Sequence, residues 1–430
     1  MNLPVIDKNK SSSLTMQKAK EGKSGPGFEH SSPIYANVRV VAGFLLMTLG
    51  TATMYIGMVG LKPVAMEFGI TRSLGTLPYA LFMIGYGIGG IVYGRLADKF
   101  GILLPLLIGS LCVPIGIYLA SISDQFWQYI LSLSILAGLL GSSATFAPVI
   151  SDISHWFTAR RGLALSIVIS GSYFSGALWP PILQIMFDAY GWREALHWVA
   201  LISLSAMLPL SIFFWRKPIH LQQKTSKSRE IRFKKPLGFS PAMLQFGICC
   251  AGIGCCIAMS MPQAHIVSHA TDLGFTAQSG AEMLSLMFGF GIISRLASGL
   301  ICDKIGGLRT VILGSTLQLC VIIAFLGIDS LTGLYIISAC FGLSQGGIVP
   351  SYAVIIRTYF PPREAGWRIG LALFSTITGM AIGAWAAGIL YDITGSYTVS
   401  FINAVAFNIV NLLIIGSLVI QSRKIQSSAN

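Results

Sequence analysis

"FGFGIISRLASGLICDKIGG" (Phe288–Gly307) is apolar enough to cross a bilayer, yet it holds an arginine, Arg295, well inside the expected helix. It then breaks into a polar turn, Asp303-Lys304, that closes on glycine. A charged side chain at the bilayer centre costs at least about 3 kcal/mol on insertion scales, so its retention asks for a function.

The rest of the chain repeats this alternation of long apolar runs and short basic turns. Of 430 residues, 54% are hydrophobic and only 10% charged, against roughly 25% in soluble domains. Mean hydropathy is +0.72. The pattern predicts an all-α membrane protein of twelve transmembrane helices, near 38–62, 76–97, 101–121, 127–149, 163–187, 193–215, 241–267, 280–302, 308–327, 331–355, 367–391 and 398–420. Residues 1–37 and 421–430 read as polar tails, and 1–37 shows no cleavable signal sequence. Residues 216–240 form a basic connector between two six-helix bundles, 38–215 and 241–420.

The net charge of +13 sits mostly in short loops and in that connector, not in an aromatic-interleaved patch, which argues against nucleic-acid binding. Basic residues gather in the N-terminal tail and in the turns at Arg95/Lys99, Arg160/Arg161, Lys304/Arg309 and Arg357/Arg363/Arg368. The opposite turns are nearly free of them, Arg72 and Arg193 excepted, so both termini are expected in the cytoplasm. The eight cysteines lie within apolar runs, where packing explains them; no metal or cofactor motif appears, and nothing matches a phosphate-binding GxxxxGK[ST] loop.

The two bundles resemble each other. "GRLADKFG" (Gly94–Gly101) is echoed by "GLICDKIG" (Gly299–Gly306), "RRGLALSIVISG" (160–171) by "RIGLALFSTITG" (368–379), and "FDAYGW" (187–192) by "YDITGSY" (391–397). The offset stays near 204–208 residues in unchanged order, the mark of a parallel duplication. Duplicated halves of this kind form a midplane pocket and alternate access by rocking.

With that duplicated turn, the chain resembles the major facilitator superfamily over roughly residues 38–420. The resemblance implies a conformational latch at Gly94, Asp98 and Gly101, joining span two to span eleven in the outward-facing state. Gly299, Asp303 and Gly306 would do the same against span five. Within the superfamily, "WFTARRGLALSIVISGSYFSGALWPP", "ISRLASGLICDKIGG" and "GLKPVAMEFG" are similar to monocarboxylate transporters and oxalate:formate antiporters. In that branch the arginine matching Arg295 binds the substrate carboxylate, and the lysine matching Lys62 is tied to substrate and proton coupling. The pattern departs at Gly291, where monocarboxylate transporters have an aspartate, at Ile102 and Leu103, where the superfamily often has basic residues, and in span eleven, which lacks the antiporters' lysine.

Arg295 therefore reads as the grip for a visiting anion, with an internal pair to a carboxylate or to backbone carbonyls as the rival. Lys62 is either an assistant at the outer mouth or an interfacial side chain reaching head groups. Tyr55, Ser170, Ser172, Tyr173, Gln263 and Gln345 are the polar candidates on inward-capable spans, and His265 and His269 read as interfacial histidines. The expected function is a monomeric secondary carrier in the bacterial inner membrane that is not an enzyme. It moves a small organic anion, a carboxylate, with a coupled proton or counter-anion. Same-fold carriage of a larger amphipathic drug or siderophore, or a transport-dead sensor, are the rivals.

Overall fold

The computed structural model describes residues 33–157, 161–215 and 236–429. Most of the basic tail, Arg160 and the connector from Arg216 to Lys235 lie outside the described residues. Among the described residues, eleven helices are long and apolar enough to cross a membrane. One of them, Leu163–Ile212, is 50 residues long, about 75 Å at 1.5 Å per residue, against a hydrocarbon core of about 30 Å. Its backbone is non-helical at Gly191 (φ 77°, ψ 159°), so it is two segments. We label the helices α1 (Ile34–Val59), α2 (Arg72–Phe100), α3 (Leu103–Ser121), α4 (Phe126–Ser154), α5 (163–190), α6 (192–212), α7 (Pro241–Asp272), α8 (Ala277–Ile305), α9 (Gly307–Phe325), α10 (Leu331–Tyr359), α11 (Glu364–Thr394) and α12 (Thr398–Lys424).

Elements around the repeated motifs share features. α2 and α8 are both 29 residues, opened by a threonine whose side chain accepts from the third backbone N–H (Thr71 from Leu74, Thr276 from Ser279). Both close on a glycine, Gly101 (φ 88°) and Gly306 (φ 82°), in a region that costs an L side chain strain. α3 and α9, which follow, are both 19 residues. Gly191 and Gly395 (φ 69°), in the matching FDAYGW and YDITGSY turns, both take positive φ.

Boundaries differ from the sequence reading where polar residues continue a helix. α1 starts with Pro33 at its first turn, inside the expected tail, because proline's fixed φ suits that position. The last helix runs to Ala429 through "QSRKIQSSA", beyond the apolar stretch. A short helix, Leu61–Phe68, prolongs α1 past Gly60 and carries Lys62. Within α4, residues 132–142 form a π-helix whose wider turns accept α2 and α3.

α2 packs along α11 and α5 along α8. The α2–α11 contact runs from the α2 N-terminus to mid-helix, where Gly87 abuts Phe374. Near the α2 N-terminus Gly388 abuts Ser73 and Thr76, but Gly94 has nothing within 4 Å of a built Cβ. Likewise Gly176 abuts Phe288, whereas Gly299 meets nothing. Gly94 and Gly299 are therefore not close-packed, in contrast to Gly388 and Gly176.

Candidate functional site

Arg295 lies where α5, α8 and α10 meet. Its guanidinium stacks 4.4 Å above the Tyr173 ring of α5. Its Nε is buried with no hydrogen-bond partner, and among the described residues no carboxylate lies within 4 Å of it. Gly291, one turn earlier on the same helix, makes the stacking possible. A Cβ there would sit 2.7 Å from the Tyr173 ring, so the tyrosine occupies the volume that an aspartate would claim.

Four further expected residues join Arg295. Tyr173 meets Phe288 edge-on at 5.7 Å, and Phe288 meets Tyr55 of α1 edge-on at 5.2 Å. The Tyr55 hydroxyl donates to the Ser172 carbonyl at 3.1 Å. Gln263 Nε2 donates to Gln345 Oε1 at 2.6 Å, and Gln345 Nε2 donates to the Met287 carbonyl at 3.1 Å. Gln345 Nε2 also lies 3.7 Å from the Gly291 Cβ position, which ties the glutamine pair to the Tyr173 wall. Ser170 and Ser172 instead turn their hydroxyls onto backbone carbonyls one turn back. Phe288 was not foreseen, and neither was Tyr86 of α2, which lies within electrostatic reach of Arg295.

Lys62 does not reach this group. Its Nζ donates to Thr271 Oγ1 at 2.8 Å and pairs with Asp272 at 3.1 Å. Asp272 simultaneously pairs with Arg72 at 2.7 Å. Arg72 lies 4.0 Å over the Tyr391 ring and donates to the Tyr397 hydroxyl at 2.8 Å. The N-terminal backbone N–H groups of Arg72 and Ser73 are each accepted at 2.9 Å by the two oxygens of Asp392. A carboxylate at that helix terminus is favoured by the positive end of the helix dipole. The cluster ties α1 and α2 to α7 and α11 at this end.

The two loop arginines that break the charge asymmetry are thus both ion-pair members. Arg193 pairs with Glu67 at 2.8 Å and donates to the Ser121 carbonyl at 2.7 Å, and Trp192 donates to the same carboxylate. Their placement in basic-poor loops was the available signal. His265 is a correction to the interfacial reading, being wholly buried. Its Nε2 faces the Ala384 carbonyl at 2.8 Å, so that nitrogen carries the proton and Nδ1 accepts from Tyr397 at 2.9 Å. Burial pushes the Tyr397 phenol well above its usual pKa, which keeps it a donor.

Asp98 and Asp303 are exposed, and neither has a hydrogen bond or ion pair among the described residues. Gly94 and Gly299 do not serve as close-packing points in this conformation, while Gly101 and Gly306 do terminate their helices. Asp392 accepts from the N-terminal amides of α2, at the other end of the molecule from the expected Asp98.

We expect Asp272→Asn to loosen the closed end. Partly exposed pairs contribute about 0.2–1 kcal/mol each, so losing two shifts the open–closed ratio by about twofold to thirtyfold. Distances between spin labels on α2 and α11 beyond residues 73 and 388 would report it, and an unchanged distribution would rule it out.

The superfamily model described as Major Facilitator Superfamily matches residues 41–366 and 248–429. Monocarboxylate transporter 13 of Bos taurus is 27% identical over 368 residues, covering 80% of this chain and 84% of the bovine protein. The MFS-type transporter pynF of Aspergillus niger is also 27% identical, over 70% of this chain and 69% of its own. A bacterial homologue of the human lysosomal transporter Spinster, solved inward-facing and unoccupied, superposes with a TM-score of 0.67 at 15% identity, over 91% of this chain and 98% of that one. The matched proteins are transporters rather than enzymes, and this multi-pass membrane chain belongs to the major facilitator superfamily.

Proposed function

We propose that the chain is a secondary active carrier moving a small organic carboxylate by alternating access. Arg295 carries this reading: a stacked guanidinium, unneutralised by any described carboxylate, stands beside the α5–α8 contact. A carboxylate can neutralise it through two parallel hydrogen bonds, and the arginine fork is already held by Tyr173. Tyr55, Tyr173, Gln263 and Gln345 complete the pocket, and Lys62 belongs to the outer gate through Asp272.

In this reading twelve crossings form two six-helix halves, and both termini and the basic turns face the cytoplasm. The Lys62–Asp272–Arg72 cluster is then the closed outer gate, and the exposed Asp98 and Asp303, without a hydrogen bond or ion pair among the described residues, support an inward-facing reading. The latch residues would engage when the halves rock to the outward-facing state. Transport would be driven by a coupled proton or counter-anion gradient, with a monomer acting in the cell membrane.

The aromatic walls favour a second reading, a larger amphipathic acid. Tyr55, Tyr173 and Phe288 offer ring faces and edges beyond what a two- or three-carbon acid needs. One experiment tests both. Thermal unfolding of the purified protein is followed with short carboxylates, aromatic or long-tailed carboxylates, and their neutral amides. A ligand at about 100 times its dissociation constant adds roughly 2.7 kcal/mol to the state that binds it. Stabilisation by short acids and not by amides supports the first reading; stabilisation by bulky acids alone supports the second. Equal stabilisation by the amides would defeat the anion proposal.

A further inference from the structure

A second basic site lies away from Arg295, on the face that carries Asp98 and Asp303. A cavity of about 260 Å³ opens between the α8–α9 turn, the last turn of α10 and the end of α12. Arg309 and Arg423 stand at its rim, both exposed, and neither has a carboxylate within 4 Å among the described residues. Thr358, Tyr359 and Ser422 add hydroxyls, with Tyr359 Oη and Ser422 Oγ 3.4 Å apart.

The chemistry of this lining is one-sided. Gly307, Leu308 and Arg309 form the first turn of α9, where backbone N–H groups have no partner within the helix and carry the positive end of its dipole. Two arginines, three hydroxyl-bearing residues and the first turn of α9 line one space, and among the described residues no acidic side chain lines it. Arginine forks match the oxygens of a phosphate, and several donors around one volume suit an anion of more than one charge. The remaining wall, Ile305, Ile355 and Val419, is apolar. A pocket cationic on one side and apolar on the other, at the end of membrane-length helices, suits a phosphate that continues into a glycerol and acyl chains.

We propose that this cavity binds the phosphate of an anionic lipid headgroup from the leaflet on the Asp98/Asp303 side. Free phosphate shares the chemistry, and the apolar wall favours the lipid as its source. The turn that forms the cavity also bears on the latch. Gly306 lines the cavity and follows Asp303 by three residues. An occupied site would hold that turn against α10 and α12 and fix where Asp303 projects, so lipid composition would bias the carrier's conformational cycle.

The test uses the full chain in detergent micelles, titrated with phosphatidic acid, phosphatidylcholine or inorganic phosphate while thermal unfolding is recorded. Wild type is compared with Arg309→Gln/Arg423→Gln, with Arg423→Gln alone, and with Arg357→Gln, an exposed basic residue on the same face that does not line the cavity. Phosphatidic acid should stabilise wild type, and the double variant should bind it about thirtyfold more weakly, two basic contacts having been lost. The single variant should fall between them, and Arg357→Gln should match wild type. Inorganic phosphate as effective as phosphatidic acid would overturn the lipid as the source. Equal binding by the double variant, or an equal loss in Arg357→Gln, would overturn the site and leave only a general attraction of acidic lipid to a basic face.

Discussion

Asp152→Asn is expected to destabilise the protein by about 3–5 kcal/mol, because it removes the carboxylate from a buried ion pair. Arg39 on α1 has no exposed surface, and its Nη2 lies 2.9 Å from the Asp152 carboxylate on α4. Trp156 covers the guanidinium at 4.4 Å, and Phe214, just past α6, does so at 4.8 Å. The pair thus sits between three helices with aromatic rings in place of water. Breaking it by removing one partner leaves an uncompensated charge, whereas replacing both by apolar side chains of similar volume is often neutral or stabilising. The double variant Arg39→Met/Asp152→Leu should therefore recover most of what Asp152→Asn loses. Unfolding midpoints of the singles and the double form a cycle that isolates the coupling. A double variant no more stable than Asp152→Asn would mean that the pair is not acting as a closed unit.

That pair was not legible in the sequence, and the reason is general to this fold. Hydropathy and the repeat depend on neighbours along the chain, so the number of apolar runs, the α2/α8 match and the glycine turns at Gly101 and Gly306 could be read directly. Partners depend on which helices touch. Lys62 and Asp272 are 210 residues apart, Arg72 and Tyr397 are 325 apart, and Arg72 and Asp392 meet across 320. Local pattern holds nothing that joins them. Hence Lys62 read as an interfacial lysine or an assistant to the substrate, although it closes a cluster at the end of the molecule. His265 read as interfacial from its position near a helix end, although packing of α7 against α11 buries it. Arg295 was legible because its cost at membrane depth stands out in any apolar run. Tyr173 as its stacking partner was not, since that contact rests on the missing side chain at Gly291.

Arg295→Gln is expected to lose carboxylate binding without losing the fold. Truncating one partner of a desolvated charge pair costs about 2–5 kcal/mol, which is roughly thirtyfold to several thousandfold in affinity. The ligand-free protein should behave oppositely. The Arg295 side chain is half-buried, with an unsatisfied buried Nε and no described carboxylate, so it carries part of the cost of about 3 kcal/mol that insertion scales give a charge at membrane depth, offset by the Tyr173 ring. Replacing it by a neutral side chain should leave the unfolding temperature in the absence of ligand unchanged or higher. Arg295→Lys keeps the charge but neither the planar fork nor the ring stacking, so it should bind between the two extremes. Tyr173→Phe keeps the ring and should stay near wild type. Isothermal titration with the best acid from the stabilisation panel, together with unfolding of the ligand-free variants, separates the two roles. A glutamine variant that unfolds well below wild type without ligand, or that still binds the acid with undiminished affinity, would make Arg295 a structural residue and move the anion site elsewhere. The opposite signs expected for binding and for ligand-free stability follow from one geometric fact, a guanidinium held in place by an aromatic ring and left without a charge to meet it.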